Sequence, residues 1–290
     1  MSDIKRITKK RKFRKDNTLY LLLRDPLGRA GFMGIALIVL LAIFAPYISN
    51  FDVAEIHSKD RLQAPNSTYW FGTDNFGRDI FSRIVYGARV SLVVGIVSVS
   101  IAAGIGFILG IISGYFEGRV ETAIMMVMDV LFAFPSILLA LLIVAVLGTS
   151  IVNTMIAIGI VNIPVFTRTV RASVKSIKSL DFVADAKSIG LKDSDILIRH
   201  IAPNSLASFI VQATLALSSA ILTEATMSFL GLGIRPPEPS WGSMLSESRA
   251  FMELAPWMVI FPALFIILTI LSFNILGDAL RDVLDPKLKL

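Results

Sequence analysis

The stretch VSLVVGIVSVSIAAGIGFILGIISGY occupies residues 90–115 and contains no Asp, Glu, Lys or Arg. It exceeds the roughly 20 mostly apolar residues that a helix needs to cross a bilayer. Five more apolar runs lie on either side of it, so the sequence predicts an all-α membrane protein with six transmembrane helices. The other runs are Gly31–Ile48, Ala123–Leu147, Ile151–Val165, Leu206–Leu232 and Ala255–Leu276.

Two of these runs admit a second interpretation. The run 31–48 lies near the N-terminus, but it is longer than the roughly 7–15 apolar residues of a signal peptide, and no small-residue cleavage site stands out. We therefore expect an uncleaved first span. The run 151–165 is short and contains Asn153, Asn162 and Pro164, so a re-entrant segment is the alternative to a full span there.

The composition argues against a soluble enzyme and against a disordered chain. Of the 290 residues, 54% are hydrophobic and 17% are charged, whereas soluble domains carry about 25% charged residues. The lack of cysteine excludes disulfides, thiolate catalysis and iron–sulfur clusters, and two histidines make a histidine-rich metal site unexpected. The sequence also lacks a GxxxxGK[ST] phosphate loop, HExxH and GxSxG. We expect a non-catalytic chain that binds no cofactor of its own.

Positive charge predicts the orientation in the membrane, because cytoplasmic loops carry the excess of Lys and Arg. With the N-terminus inside, 21 of the 28 Lys and Arg residues fall on the cytoplasmic side, so both termini are expected in the cytoplasm. The cluster at residues 5–15 is interpreted as a flank that contacts membrane lipid, and nucleic acid is not expected as a partner. The predicted segments are a basic cytoplasmic segment 1–30, a first transmembrane helix 31–48, an extracytoplasmic loop 49–89, a core of five transmembrane helices 90–278 with a cytoplasmic loop 166–205 and an extracytoplasmic loop 233–254, and a cytoplasmic tail 279–290.

The cytoplasmic loop 166–205 contains a stretch, residues 180–190, that is helical by composition. Phe182, Ala186 and Ile189 follow one another at i, i+4 and i+7, which predicts that they share one face of this helix. A soluble partner could take such a helix in a groove.

A second short helix is predicted to follow the first. Gly190 is a typical helix stop, and Asp193 places negative charge at the next helix N-terminus, where it is favourable. Pro203 is expected to interrupt this second helix before the fifth span. His200 precedes that proline, and a lone histidine is more often a satisfied structural group than a ligand.

The same loop resembles the "EAA" coupling motif of ABC importer permeases, E-A-A-x3-G-x9-I-x-L-P. When the two are aligned on Gly190 and Pro203, the motif's alanines fall on Asp185 and Ala186 and its glutamate falls on Ala184. The carboxylate is therefore displaced by one residue from the motif.

Further motifs resemble signatures of the dipeptide/oligopeptide/nickel permease family. The similarity extends from about residue 20 to the end, and it is closest in kind to the second permease subunit of such importers. The motifs are FGTDNFGRDIFSR at 71–83, YGARVSL at 86–92, SFLGLG at 228–233 with PSWG at 239–242, and LGDALRD at 276–282 with LDP at 284–286.

This resemblance implies a type I ABC importer permease fold in a bacterial inner membrane. It also implies three kinds of partner: an extracytoplasmic substrate-binding protein, a second homologous permease that completes a heterodimer, and two ATPase subunits that hold ATP and Mg. The family imports mostly short peptides. Glutathione, nickel or a metal–chelator complex are alternative cargoes, and an ion-coupled secondary transporter is a less favoured alternative class.

The resemblance and the charge pattern together assign candidate sites. The ATPase-coupling loop would contain Phe182, Asp185, Ala186, Ile189, Gly190, His200 and Pro203. The candidates for the pathway or a gate are Asp129, Glu224, Arg168 and Arg171. Of these, Glu224 lies inside an apolar run, where a carboxylate is expensive and marks function or an internal pair. Asp129 is expected near the cytoplasmic interface, paired with Arg168 or Arg171, in a structural or gating role and not in substrate binding. In the outer loop, Asp74, Arg78 and Asp79 either contact the binding protein or fold the loop through internal ion pairs.

Overall fold

The computed structural model describes residues 18–234 and 237–284. Within these ranges the chain folds into α-helices joined by short turns and one long loop. In the described part of the chain, five helices are long and apolar enough to cross a membrane, and the number rises to six if a bent pair counts as one span. The predicted all-α membrane fold is confirmed. The basic cluster at 5–15 and the last residues of the tail lie outside the described residues.

The helices are numbered in chain order. They are α1 Thr18–Arg24, α2 Pro26–Ile48, α3 Ile80–Tyr115, α4 Arg119–Phe132, α5 Ser136–Leu147, α6 Ile151–Lys178, α7 Asp181–Ser188, α8 Asp193–Ile196, α9 Ala202–Phe229, α10 Trp241–Ser248 and α11 Trp257–Leu284. A π-helical turn, Leu197–Ile201, joins α8 to α9 without a break.

Helix α3 and helix α6 form the closest helix pair of the bundle. Gly106, Gly110 and Gly114 recur every four residues on α3 and face α6. A Cβ atom at Gly110 would lie 2.6 Å from the Cβ of Val170, so only glycine permits this approach. Small residues at four-residue spacing let helix backbones pack closely in membranes, where lipid gives no hydrophobic drive for association. The largest apolar core is built around this pair, with α5 and α9 on its flanks.

The first span packs against the last. Helix α2 begins at Pro26, where Asp25 accepts a hydrogen bond from the Gly28 N–H at 2.6 Å, so the helix starts five residues before the apolar run. On α2, a Cβ at Gly31 would lie 2.8 Å from the backbone nitrogen of Leu276 in α11. Close backbone contact again replaces large side chains at the helix interface.

The third apolar run is not one straight span. Helices α4 and α5 are bent by 88° at residues 133–135. Pro135 lacks a backbone N–H and disfavours helical geometry at the residue before it, which accounts for the break. The fourth run instead lies in a continuous helix, α6, of 28 residues. The re-entrant alternative for that run is therefore wrong, and the interruption lies in the run before it.

The predicted interruption of the helix at Pro203 does not occur. The helix is continuous from Asp193 to Phe229, 37 residues or about 55 Å long. In the π turn the Ala202 N–H donates to the carbonyl oxygen of Leu197, five residues back. This wider turn directly precedes the proline, which has no N–H to contribute, so the helix axis continues through it.

The bundle has two distinct ends. We name the hairpin end after α7 and α8, which form a helical hairpin beside the C-termini of α3 and α6 and the N-terminus of α4. We name the loop end after residues 49–79, which pack with α10 over the N-termini of α3 and α11. There Trp241 is fully buried, and its indole N–H donates to the carbonyl of Ile84 at 3.0 Å.

Candidate functional site

The helical hairpin is anchored by one face of α7. Val183 and Ala186 are buried against apolar residues of α3 and α6 and against Ile196 and Ile201 of the second hairpin arm. The predicted face is therefore only partly right. Ala186 packs inward, and the residue that shares its buried face is Val183 at i−3.

The other two members of the predicted face point outward. Phe182 and Ile189 are exposed, and Ile189 lies beyond the last residue of α7, Ser188. Because the helix is only eight residues long, the i+7 position falls outside it. Gly190 then turns the chain, as predicted, with φ +78°, a conformation that other residues adopt only with strain.

Exposed apolar side chains cover the outside of the hairpin, and we call them the hairpin apolar surface. They are Leu180, Phe182, Ile189, Leu191 and Ile198. Ile189 and Ile198 are the most exposed, at 77% and 71%. Asp185 is exposed beside them, the half-buried His200 ring lies 6.3 Å from the Phe182 ring, and Pro203 is exposed.

Hydrogen bonds tie the hairpin to the transmembrane bundle. The Tyr115 hydroxyl at the end of α3 donates to the Asp193 carboxylate at the start of α8. The Lys178 ammonium donates to the Tyr115 carbonyl at 2.8 Å and to Glu117 at 3.0 Å. The hydrogen bond from Lys178 lowers the pKa of the Glu117 carboxyl. Asp193 thus links the hairpin to α3, and Lys178 holds the end of α6 beside the same end of α3.

Three ion pairs lie on the face shared by α4 and α6. Arg168 donates to Asp129 at 2.6 Å, and its guanidinium lies 4.1 Å from the centre of the Phe132 ring. Arg171 pairs instead with Glu121, which also accepts a hydrogen bond from Lys175 at 2.6 Å. Of the two partners open to Asp129, the structure therefore selects Arg168.

Glu224 is fully buried among small polar side chains. Its carboxylate accepts hydrogen bonds from the Ser91 hydroxyl of α3 at 3.0 Å and from the Ser228 hydroxyl at 2.8 Å. The Ser228 oxygen in turn accepts the Ile234 N–H at 3.2 Å. The side chain therefore joins α9 to α3 and, through Ser228, to the segment that follows α9.

The acidic and basic residues of the outer-loop motif are buried in a network at the loop end. The Arg78 Nε donates to Asp74 at 2.6 Å, and its Nη2 donates to Glu247 of α10 at 2.5 Å. Arg83 of α3 also reaches Glu247, at 3.1 Å. Asp74 and Arg78 were expected either to contact the binding protein or to form ion pairs within the loop. The structure shows the ion pairs: both side chains are buried in contacts that hold the loop to α3 and α10.

Asp79, the third residue of that motif, caps helix α3. It accepts hydrogen bonds from the Ser82 N–H at 2.8 Å and from the Ser82 hydroxyl at 2.6 Å. Burial raises the pKa of its carboxyl, and the two hydrogen bonds from Ser82 oppose that rise. Like Asp74 and Arg78, it stabilises the loop end from within.

Sequence reasoning missed several partners in these networks. Glu247, Arg83, Glu121 and Tyr115 lie far along the chain from the groups that they bind, so no local pattern joins them. The four-residue spacing of the α3 glycines was visible in the sequence and would have indicated the α3–α6 contact. Within residues 18–234 and 237–284, no three His, Cys, Asp or Glu side chains are grouped to hold a metal ion.

Comparison with known proteins adds the family to this geometry. The family model described as "Binding-protein-dependent transport system inner membrane component" matches residues 106–290. A second one, the N-terminal TM domain of oligopeptide transport permease C, matches residues 17–65.

Individual relatives match nearly the whole chain. The dipeptide transport system permease protein DppC of Alkalihalophilus pseudofirmus is 50% identical over 268 residues, which cover 92% of this chain and 88% of that protein. The glutathione transport system permease protein GsiD of Pectobacterium atrosepticum is 46% identical over 268 residues, with 92% and 89% covered. The protein of the same name from Escherichia coli O6:K15:H31 is 47% identical over 267 residues, with 92% and 88% covered.

These relatives agree with the apolar helices in describing a multi-pass protein of the bacterial inner membrane. They also agree with a non-catalytic subunit, since the family transports solutes and is not a family of enzymes. The chain belongs to the family of binding-protein-dependent transport system inner membrane components and is a permease subunit of an ABC importer.

Proposed function

We propose that this permease forms one half of the pathway of an ATP-driven importer of short peptides. The choice of peptides as cargo rests on the 50% identity, over 92% of the chain, to a protein named as a dipeptide transport permease. Relatives named as glutathione permeases are almost as similar, so glutathione is the second candidate cargo. Glutathione is itself a small peptide, and both candidates need a pathway for a flexible, charged solute. Nickel or a metal–chelator complex is a third.

The proposed orientation places both termini and the hairpin in the cytoplasm. It follows from the excess of Lys and Arg on one side of the membrane. With this orientation the hairpin apolar surface faces water, where exposed apolar patches mark protein interaction sites. We assign this surface, with Asp185, His200 and Pro203, to contact with an ATPase subunit. ATP and Mg would bind to the ATPases and not to this chain.

The continuous helix from Asp193 to Phe229 supplies a physical route for coupling. It begins in the hairpin and ends beside the loop end, and Glu224 bonds it to α3 near its far end. A displacement of the hairpin by the ATPases would therefore move a rigid rod of about 55 Å. ATP and the loaded binding protein would each favour the outward-open state only to the extent that they bind it more tightly.

Contact with the extracytoplasmic binding protein is assigned to a revised set of residues. Asp74, Arg78 and Asp79 are buried in internal bonds, so they would hold the loop in shape and not touch the partner. Trp70 and Phe76 lie in the same loop with exposed aromatic rings. Exposed aromatic side chains are enriched at protein interfaces, and we assign the contact to these two residues.

The experiment that tests the function is uptake of a labelled dipeptide by cells that lack this subunit and by cells in which it is restored. We expect loss on deletion, rescue on restoration, and no effect of a protonophore while the ATP level is held constant. If dipeptide uptake is unchanged by deletion, the peptide assignment fails and glutathione and nickel are tested in the same cells. Rescued uptake that collapses with the proton gradient at constant ATP would contradict the ATP-driven mechanism.

A further inference from the structure

The ion pair between Asp129 and Arg168 lies on an apolar surface. The two side chains are 61% and 41% exposed, and the neighbouring side chains of α4, Met126, Val127 and Val130, are also exposed. Two opposite charges are therefore exposed on a surface whose other side chains are apolar.

Their position along the bundle places the pair at membrane depth. Asp129 lies ten residues into α4, or about 15 Å from its start. On α6, Arg168 lies between Phe166 and Val170, which face Gly106 and Gly110 of α3. At that level of α3 the helix carries only apolar side chains and glycines, as a helix segment within the bilayer would, and Ile108 is 60% exposed.

The face that carries this ion pair is not expected to contact lipid. Charged side chains within a membrane turn toward the interior of an assembly or toward a water-filled cavity. The break between α4 and α5 begins four residues after Asp129, and irregular backbone at this depth is tolerated only where protein covers it or where it lines such a cavity. The two arguments are independent, and both point to a face that is turned away from lipid.

An open groove of about 610 Å³ lies on this face, and Asp129, Met126 and Ala133 are among the residues that line it. Arg168 does not line the groove itself but reaches it through its hydrogen bond to Asp129. Small-molecule sites have volumes of roughly 300–1,000 Å³. The volume of the groove falls within this range.

We propose that Asp129 and Arg168 are a contact point for zwitterionic solutes on the transport pathway. Asp129 receives the solute's ammonium group and Arg168 binds its carboxylate, for which the planar guanidinium is well suited. Without solute the two side chains neutralise each other, so neither charge is left unpaired. This inference rests on the proposed function and deepens it, because it names the chemistry that the permease itself recognises.

The first test uses the absence of cysteine from the native chain. Met126→Cys beside the pair and Ile108→Cys on α3 place single thiols at positions of similar exposure, 63% and 60%. In the assembled transporter we expect a charged, membrane-impermeant methanethiosulfonate reagent to modify Met126→Cys at least ten-fold faster than Ile108→Cys. The complex with the native chain gives the background from its partners. Equal rates at the two positions would overturn the assignment of this face to the pathway.

The second test asks which end of the solute each charge contacts. Uptake of dialanine, N-acetyl-dialanine and dialanine amide is measured with the native chain, with Asp129→Asn and with Arg168→Gln. The binding protein is the same throughout, so the ratio of variant to native uptake for each solute isolates the permease.

We expect Asp129→Asn to slow the solutes with a free ammonium group at least five-fold and to spare the acetylated one. Arg168→Gln should spare the amide and slow the other two. An equal loss for all three solutes would assign the pair a purely structural role and overturn the inference. Failure of the proposed function is distinct, because the native complex would then take up none of the peptides.

Discussion

Arg78 and Glu247 are 169 residues apart in the sequence, and their side chains meet at 2.5 Å at the loop end of the bundle. Glu247 also binds Arg83, so one carboxylate offsets two buried guanidinium groups. Asp74 completes the network from the loop, at 2.6 Å from Arg78 and 3.6 Å from Arg83. This arrangement holds the loop, α3 and α10 together, so disrupting it should lower the stability of the folded protein.

We predict that Glu247→Gln destabilises the protein. Removing one partner from a buried ion pair leaves uncompensated charge and costs about 3–5 kcal/mol, and the partial exposure of Glu247 places it at the lower end. Thermal unfolding of the purified protein in detergent should shift downward by roughly 5 °C or more. Glu253→Gln, at an exposed site on the same side of the bundle, is the matched control and should leave the transition in place. Equal midpoints for the two variants would contradict the structural role of the network.

A second prediction concerns the contact between α3 and α6. Gly110→Leu would drive its side chain into Val170 and into the carbonyl of Thr167, so the two helices must separate. We expect little folded protein in the membrane. Gly104→Leu adds the same side chain on the same helix, where a Cβ meets nothing within 4 Å, and should accumulate normally. Immunoblots of membranes and size-exclusion profiles check both, and normal accumulation of Gly110→Leu would show that the contact is dispensable.

The hairpin apolar surface makes a third prediction, about coupling and not about folding. Ile198→Asp places a charge on a side chain that is 71% exposed, so stability should change by less than about 0.5 kcal/mol. We expect peptide uptake and solute-stimulated ATP hydrolysis to fall at least ten-fold at normal protein level. Ser194→Asp adds the same charge at an exposed site outside this surface and serves as control. If Ile198→Asp transports normally, the ATPase contact lies elsewhere.

Glu224 gives a fourth prediction, which separates its hydrogen bonds from its charge. Glu224→Gln keeps a partner for both hydroxyl groups, because its amide oxygen accepts from one and its NH2 group donates to the oxygen of the other, so it should retain most of the stability. Glu224→Leu leaves both hydroxyl groups buried without that acceptor, at a cost of about 1–3 kcal/mol for each unsatisfied group. Thermal unfolding measured on the two variants side by side should give the leucine variant the clearly lower midpoint. Transport lost in Glu224→Gln with stability kept would instead indicate a role for the charge in the pathway.

The sequence predicted the parts of this fold that depend on local chemistry. Apolar runs locate the spans because burial in lipid requires about 20 consecutive apolar residues. The hairpin was located for a similar reason, since Gly190 and Asp193 act on the backbone beside them. The prediction that Phe182, Ala186 and Ile189 share one face was wrong, because the helix ends before Ile189 and helix ends are the least reliable feature of a sequence pattern.

The break in the third run shows where hydropathy alone stops being informative. Residues 123–147 are apolar enough for one span, and the average gives no sign that the helix turns by 88°. Pro135 marks the position of the break, but a proline alone does not predict one, because Pro164 and Pro203 lie in helices that continue. A proline ends a helix or is absorbed by it according to whether neighbouring helices and wider turns satisfy the freed backbone groups, and that is a property of the packed bundle.

By itself the sequence determined that this is a helical protein of the membrane, with a helical hairpin in one loop and the motifs of an importer permease. Hydropathy, turn residues and motif spacing are all read along the chain. Only the tertiary structure decided which charges pair, which face of the hairpin is exposed and why Asp74 and Arg78 do not form an outer surface. Those outcomes depend on contacts such as that of Arg78 with Glu247, which joins groups 169 residues apart, and the free energy of such a pair exists only when the folded helices bring them together.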